Sequence, residues 1–93
     1  MKSFRKWEDV RKDFKFTLEE EAEMELELEI IQATINARKN ANMTQRELSE
    51  KTGIIQPTIA RLEKRKTSPQ VSTLLKLLYP LGYTLKVVPI NKK

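Results

Sequence analysis

The first long stretch with a helical pattern of apolar and polar residues runs from Thr17 to Asn40. Thr17 is followed three residues later by Glu20, which is the spacing of a capping box. Residues 23–29 alternate glutamate with apolar residues, as a strand would, but they consist of Glu, Met and Leu and include no β-branched residue. Because these residue types favour helices over strands, we predict one long helix.

Apolar residues of this predicted helix fall on two nearly opposed faces when they are placed at about 100° per residue. The first stripe contains Met24, Leu28, Ile31 and Ile35, and the second stripe contains Leu26, Ile30, Ala33 and Ala37. A helix with two apolar faces has two surfaces to pack against. We expect the first stripe to face the core of the domain and the second to remain free for a partner.

Three shorter helices are predicted beyond it. They run from Thr44 to about Thr52, from about Gln56 to Lys64 and from about Val71 to Tyr79. Gly53 separates the first two, and Asn42 suits a left-handed helix end. Residues 83–88 are rich in β-forming residues and predict a short strand.

The two ends of the chain are expected to lie outside the helical domain of residues 17–82. Residues 83–93 form the predicted strand and tail, and an unpaired strand either covers its own domain or pairs with a second copy through Tyr83, Leu85 and Val87. Residues 1–16 form an arm whose large apolar residues have helical spacing. These are Phe4, Trp7, Val10 and Phe14. The arm would dock either on its own domain or on a partner.

Composition restricts the chemistry that the 93 residues can perform. There is neither Cys nor His, which excludes disulfides, the usual zinc sites and Ser/His or Cys/His nucleophile pairs. Glu19, Glu20 and Glu23 form a conceivable acid–base cluster, but no pocket accompanies them. We therefore expect neither an enzyme nor a bound cofactor or metal. No signal peptide or membrane span is evident, so the expected location is cytoplasmic.

Charge is divided unevenly along the chain. Residues 1–18 carry a net charge of +3, residues 19–29 carry −7 and residues 30–93 carry +9, within a total of +5. A basic region of this size indicates a polyanionic partner. The acidic segment would repel DNA, so it is expected to have a different role.

Two short helices joined by a tight turn over residues 44–66 match the helix-turn-helix arrangement. Leu48, Ile54, Ile59 and Leu62 supply its predicted core. Polar side chains that can read base edges or meet the backbone face outward, and basic residues follow at once, placed for phosphates. The predicted DNA contacts are Gln45, Gln56, Pro57, Thr58, Arg61, Lys64, Arg65 and Lys66.

The stretch 44–63 closely resembles the Cro/repressor-type helix-turn-helix family, in its residues TQRELSEKTG and QPTIARLE. The resemblance covers about half the chain. It implies a mainly α, lambda-repressor-like bundle with the long first helix and the short C-terminal strand added, which binds double-stranded DNA. It also implies an ion pair between Arg38 and Glu63. The chain departs from the family at Ile55, where Ser or Thr usually caps the recognition helix, and at Arg65, where Gly is usual; Gln56 could take over the capping role.

A narrower resemblance, to antitoxins of the HigA type, covers nearly the whole chain. The Trp7–Val10 segment of the arm, the glutamate-rich helix and residues 81–89 carry it. It implies a repressor of its own operon that also neutralises a basic, RelE-fold, mRNA-cleaving toxin. The implied toxin-binding residues are Trp7, Val10, Phe14, Leu26, Ile30 and Ala33. The alternative is a stand-alone regulator of the same fold.

A homodimer is also expected, because reading a near-palindromic operator requires two helix-turn-helix units about one turn of DNA apart.

Overall fold

A computed structural model describes residues 16–90 of the chain. Within this range there are four α-helices and a terminal 3₁₀ turn. They are α1 (Leu18–Asn40), α2 (Gln45–Thr52), α3 (Gln56–Glu63), α4 (Val71–Leu78) and the 3₁₀ turn Tyr79–Leu81. All four predicted helices are confirmed, and their ends lie within one or two residues of the predicted positions.

Side-chain caps fix where the two N-terminal helices begin. The Thr17 Oγ1 accepts from the Glu20 N–H at 3.0 Å, and the Glu20 carboxylate accepts from the Thr17 N–H at 2.9 Å. Thr44 and Glu47 make the same reciprocal pair at 3.0 and 2.8 Å. Each box satisfies N–H groups that a helix start leaves without an intrahelical partner. Both predicted capping boxes are therefore confirmed.

Asn42 ends α1 in the left-handed conformation, with φ of 58°. The Met43 N–H reaches the Arg38 carbonyl at 3.2 Å, and the Asn42 N–H reaches the Lys39 carbonyl at 2.9 Å. These are the two bonds of a Schellman motif. Met43 then packs on the core, so the chain turns sharply from α1 into α2.

One apolar cluster joins all four helices. Its buried members are Ile31, Ile35, Leu48, Ile59, Leu62, Leu74, Leu77 and Leu78. The buried Thr34 hydroxyl donates to the Ile30 carbonyl at 2.8 Å and is thereby satisfied within its own helix. The core thus places α2 and α3, which carry the predicted DNA contacts, at fixed positions against α1 and α4.

The expectation of two opposed stripes on α1 is wrong at Ile30 and Ala37. Ala37 is 3% exposed and Ile30 packs against the core. The reason is that both α3 and α4 pack on the C-terminal part of α1. Their joint footprint covers about 160° of the helix circumference, which is wider than one stripe. Leu26 and Ala33 stay exposed, as expected. The expectation that the first stripe faces the core is wrong at Leu28, which is 47% exposed because the core contacts only the later part of α1.

The predicted C-terminal strand is also wrong. Residues 83–90 contain no strand in the part of the chain that the structure describes. A β-ladder requires a second strand, and the helices of this domain offer none. Leu85 packs against its own core while Val87 is fully exposed, so this segment partly covers the domain.

None of the helices in residues 16–90 is long and apolar enough to cross a membrane.

Candidate nucleic-acid interface

The turn between α2 and α3 is built by Gly53 and Thr52. Gly53 has φ of 81°, a left-handed conformation that side chains disfavour. The Thr52 hydroxyl donates to the Leu48 carbonyl at 2.8 Å and accepts from the Ile54 N–H at 3.2 Å. The turn is therefore held by both backbone conformation and side-chain bonds. It fixes the angle at which α3, the recognition helix, leaves α2.

Helix α3 is held to the core by Ile59 and Leu62, which are 1% and 2% exposed. The rest of the helix surface is more open to solvent. It carries the exposed Gln56, Pro57 and Arg61, and Thr58 is half-buried beside the core-facing side. Since Gln and Arg can each make bidentate contacts to base edges, this is the face suited to the major groove.

The start of α3 lacks a side-chain cap. Ile55 stands at the N-cap position and is 65% exposed, and no side-chain hydrogen bond caps this helix. The suggestion that Gln56 takes over the capping role is therefore wrong. Pro57 removes one N–H that would otherwise be unpaired, but other first-turn donors remain without a side-chain partner.

The end of α3 is a Schellman motif with Arg65 in the position that glycine usually takes. The Lys66 N–H reaches the Arg61 carbonyl and the Arg65 N–H reaches the Leu62 carbonyl, both at 3.0 Å. Arg65 has φ of 60°, which is uncommon for a residue with a side chain. The motif places Lys64, Arg65 and Lys66 directly after the recognition helix, and all three are exposed.

Arg38 and Glu63 form the predicted ion pair, which is confirmed. The Arg38 Nε lies 2.7 Å from the Glu63 Oε2 and its Nη2 lies 2.9 Å from the Oε1. The two side chains are 11% and 8% exposed. Arg38 also donates to the Met43 carbonyl at 2.8 Å, and Gln45 Nε2 donates to Glu63 Oε1 at 2.9 Å.

Gln45 therefore has a partner that its sequence position did not indicate. One end of its amide is tied to the recognition helix, and the residue is partly buried at the start of α2. A second contact missed by sequence reasoning joins Arg65 to Gln32 of α1, where Nη2 lies 2.9 Å from Oε1. Sequence separations of 18 and 33 residues explain why no local pattern indicated these contacts.

The basic side chains of the recognition helix and of the loop after it make no close contact with a carboxylate in residues 16–90. Within residues 16–90, Arg61, Lys64 and Lys66 form no ion pair. Arg46 pairs only loosely with Glu50, at 3.5 Å on the exposed surface of α2. The cations that follow the recognition helix are thus available to a polyanion. No group of metal-ligating side chains occurs in the same described range.

A helix-turn-helix family model matches residues 35–88, more than half of the chain. This chain belongs to the helix-turn-helix family. It is a DNA-binding regulator and not an enzyme. The match covers the last part of α1, the motif itself and everything to residue 88, so it includes the predicted DNA contacts and the Arg38–Glu63 pair.

Relatives of this helix-turn-helix protein include regulators and antitoxins. It is 45% identical over 78 residues to an uncharacterised HTH-type transcriptional regulator of Haemophilus influenzae, covering 84% of this chain and 80% of that protein. It is 33% identical over 75 residues to antitoxin HigA1 of Mycobacterium tuberculosis, covering 81% of this chain. The chain spans about half of HigA1, namely 48% of its length.

A solved structure from a toxin–antitoxin module of Streptococcus pneumoniae is also similar. It superposes with a TM-score of 0.67 at 43% identity, over 95% of this chain and 97% of that one. Together with HigA1, it supports the resemblance to HigA-like antitoxins.

The remaining predicted contact residues belong to the toxin-binding face of α1, the dimer segment after α4 and the N-terminal arm. Leu26 is 55% exposed and Ala33 is exposed, whereas Ile30 is partly covered by the core. Tyr83 and Val87 are 51% and 101% exposed. Trp7, Val10 and Phe14 lie outside the described residues.

Proposed function

We propose that this chain is an antitoxin that represses its own operon and neutralises a basic, RelE-fold, mRNA-cleaving toxin. The observation that carries the proposal is the division of one chain into a basic helix-turn-helix domain and an acidic N-terminal half of α1 in which no residue is buried. The similar chain from a toxin–antitoxin module of Streptococcus pneumoniae supports the antitoxin assignment.

In the proposal, DNA is read by the exposed face of α3. Gln56, Thr58 and Arg61 contact base edges, and Pro57 packs beside them in the groove. Phosphates are contacted by Gln45 at the start of α2 and by the three cations after α3, which are Lys64, Arg65 and Lys66. Gln45 has a second amide hydrogen available, because only one donor is needed for its bond to Glu63.

Toxin binding is assigned to the N-terminal half of α1, residues 18–30. No residue from Leu18 to Ile30 is buried, although this segment is about 20 Å long at 1.5 Å per residue. It carries seven glutamates and no positive charge. A toxin that binds RNA is expected to be basic, so opposite charge would guide the encounter.

Apolar contact in the proposed toxin site comes from the residues of α1 that the core does not cover. Leu26 and Ala33 lie on one face, with Ile30 partly exposed between them. Trp7, Val10 and Phe14 of the N-terminal arm are included in the proposed surface on the basis of the sequence alone. Aromatic anchors such as Trp7 commonly supply most of the affinity of an interface.

The homodimer in the proposal uses the side of the domain formed by α4 and the following segment. Eleven large apolar residues are exposed in the described range. Seven of them occur from residue 71 onward: Val71, Leu75, Tyr79, Tyr83, Val87, Val88 and Ile90. A groove of about 860 Å³ lies among Leu75, Tyr79 and Tyr83. Patches of this kind commonly mark interfaces, and two copies would present two recognition helices to a near-palindromic operator.

Co-expression with the adjacent reading frame tests the toxin half of the proposal. We expect the two products to purify together as a stable complex and the antitoxin to relieve growth arrest caused by the toxin. If the chain purifies alone and does not alter toxicity, it is a stand-alone regulator. The Haemophilus influenzae relative, a transcriptional regulator by its description, favours that second candidate.

A further inference from the structure

The loop that follows the recognition helix, residues 64–70, is tied to α1 by two side-chain hydrogen bonds. Arg65 Nη2 donates to Gln32 Oε1 at 2.9 Å, and Ser68 Oγ donates to Glu27 Oε1 at 3.4 Å. Both bonds lie on the surface of the protein. The loop thus runs along α1 instead of projecting freely into solvent.

Arg65 leaves the backbone in a fixed direction. Its φ of 60° and the two Schellman bonds at the end of α3 determine where its Cβ points. The remaining freedom lies in the long side chain, which has several rotatable bonds. The bond to Gln32 fixes the far end of that side chain, so both ends of Arg65 are held.

The amide of Gln32 is itself oriented by a neighbour. Its Nε2 donates to Asn36 Oδ1 at 3.0 Å, one helical turn further along α1. Since the nitrogen side of the amide is engaged there, the carbonyl oxygen is the side that faces Arg65. Asn36, Gln32 and Arg65 therefore form a chain of two hydrogen bonds from α1 to the loop.

The uncharged partner preserves the charge of Arg65. Seven glutamates precede Gln32 on α1, yet the residue that meets the guanidinium is a neutral amide. A carboxylate in its place would neutralise the arginine. A guanidinium has five N–H donors, and the bond to Gln32 uses one, so the others can bind a phosphate in bidentate fashion.

We propose that Gln32 is a positioning residue for DNA binding, which holds the Arg65 guanidinium in the place where it meets a backbone phosphate. This inference rests on the phosphate contact proposed for Arg65 above. Ordering a long side chain when the complex forms costs affinity, and a side chain that is already ordered avoids this cost. Gln32 would thus strengthen DNA binding without touching DNA.

The test uses the full-length protein and a random-sequence DNA duplex, because a phosphate contact does not depend on the operator. Gln32→Ala should weaken binding roughly two- to tenfold, the cost of ordering one long side chain. Its melting temperature should stay unchanged because Gln32 is exposed. Gln32→Glu should weaken binding further, because the new carboxylate competes with the phosphate for Arg65.

Arg65→Ala provides the reference for the contact itself. It should weaken binding and reduce the slope of log K against log salt by about 0.9, the value for one phosphate contact. Adding Gln32→Ala to Arg65→Ala should cause no further loss, because Gln32 acts only through that arginine. Ser68→Ala is the matched control, since it removes the other bond between the loop and α1 without involving a cation.

The three variants distinguish a positioning role of Gln32 from a phosphate contact of Arg65 alone and from general loosening of the loop. If Gln32→Ala binds as tightly as the wild type while Arg65→Ala binds weakly, the positioning role is wrong and the phosphate contact stands. If Arg65→Ala itself binds normally, the proposed contact and the positioning role both fail. If Ser68→Ala reproduces the loss seen in Gln32→Ala, general loosening of the loop accounts for the effect and the positioning role is overturned.

Discussion

Arg38 and Glu63 join the end of α1 to the last residue of the recognition helix through two hydrogen bonds of 2.7 and 2.9 Å. Glu63 also accepts from Gln45 at the start of α2. One carboxylate thus connects three helices. Its loss would leave Arg38 as a largely buried charge with one remaining partner, the Met43 carbonyl.

Glu63→Ala is therefore expected to destabilise the fold by about 3 kcal/mol, in the range for breaking a buried ion pair from one side. Urea or thermal unfolding measures this loss. Glu50→Ala is the control, since Glu50 pairs with Arg46 only on the exposed surface and such pairs contribute under about 1 kcal/mol. Equal effects of the two substitutions would show that the Arg38–Glu63 pair contributes no more to stability than an exposed pair does.

Ile55→Ser is expected to stabilise the protein by about 1 kcal/mol, the usual contribution of an N-cap side chain. Ile55 is 65% exposed at an uncapped helix start, so the substitution gives up little apolar burial. Ile55→Ala is the control, because it removes the same side chain without adding a hydroxyl. No difference between Ser and Ala in the free energy of unfolding would contradict the account of this helix start.

Substitutions at Arg61 and Lys66 should separate base reading from phosphate contact. Arg61→Ala should lose preference for the operator over random DNA by roughly 1–3 kcal/mol, the value of a good bidentate base contact. Lys66→Ala should weaken both complexes about equally and flatten their salt dependence. Binding titrations on both duplexes measure the difference. An equal loss on both from Arg61→Ala would identify Arg61 as a phosphate contact.

Tyr79→Asp is expected to shift the protein from dimer to monomer, because it places a charge in the apolar surface proposed for dimerisation. Tyr79 is 84% exposed, so the fold of one subunit should survive. Leu18→Asp is the matched control, at 83% exposure on the opposite end of the described chain. Analytical ultracentrifugation at micromolar concentration decides the point, and a wild-type monomer would contradict the dimer itself.

Local features of this fold were predictable from sequence, because they depend on residues a few positions apart. The capping boxes of Thr17 and Thr44, the left-handed Asn42 and the turn at Gly53 all belong to this group. The Arg38–Glu63 pair is non-local and was predictable only through resemblance to a family.

Features that depend on tertiary packing between distant segments were not predictable from local sequence patterns. The pattern on α1 did not show that two helices would share one wide face and cover Ala37. The β-forming residues 83–88 provided strand propensity but no partner strand. The bond between Gln32 and Arg65 depends on how the loop lies on α1, which no periodicity of either segment indicates.

The N-terminal half of α1, residues 18–30, is proposed to bind the toxin. Leu26 and Leu28 allow a matched comparison, because they are 55% and 47% exposed and lie about 160° apart around the same helix. Leu26 is on the face shared with Ala33, whereas Leu28 points the other way. Arginine at either position adds one positive charge to the same acidic segment.

Calorimetric titration of each variant with the product of the adjacent reading frame is the most direct measurement. Leu26→Arg should lose at least tenfold in toxin affinity, corresponding to about 1.4 kcal/mol, and Leu28→Arg should bind nearly as the wild type. Both variants should bind DNA normally, because no residue of the helix-turn-helix is changed. Wild-type toxin affinity in Leu26→Arg, or an equal loss in both variants, would contradict the proposed toxin-binding face.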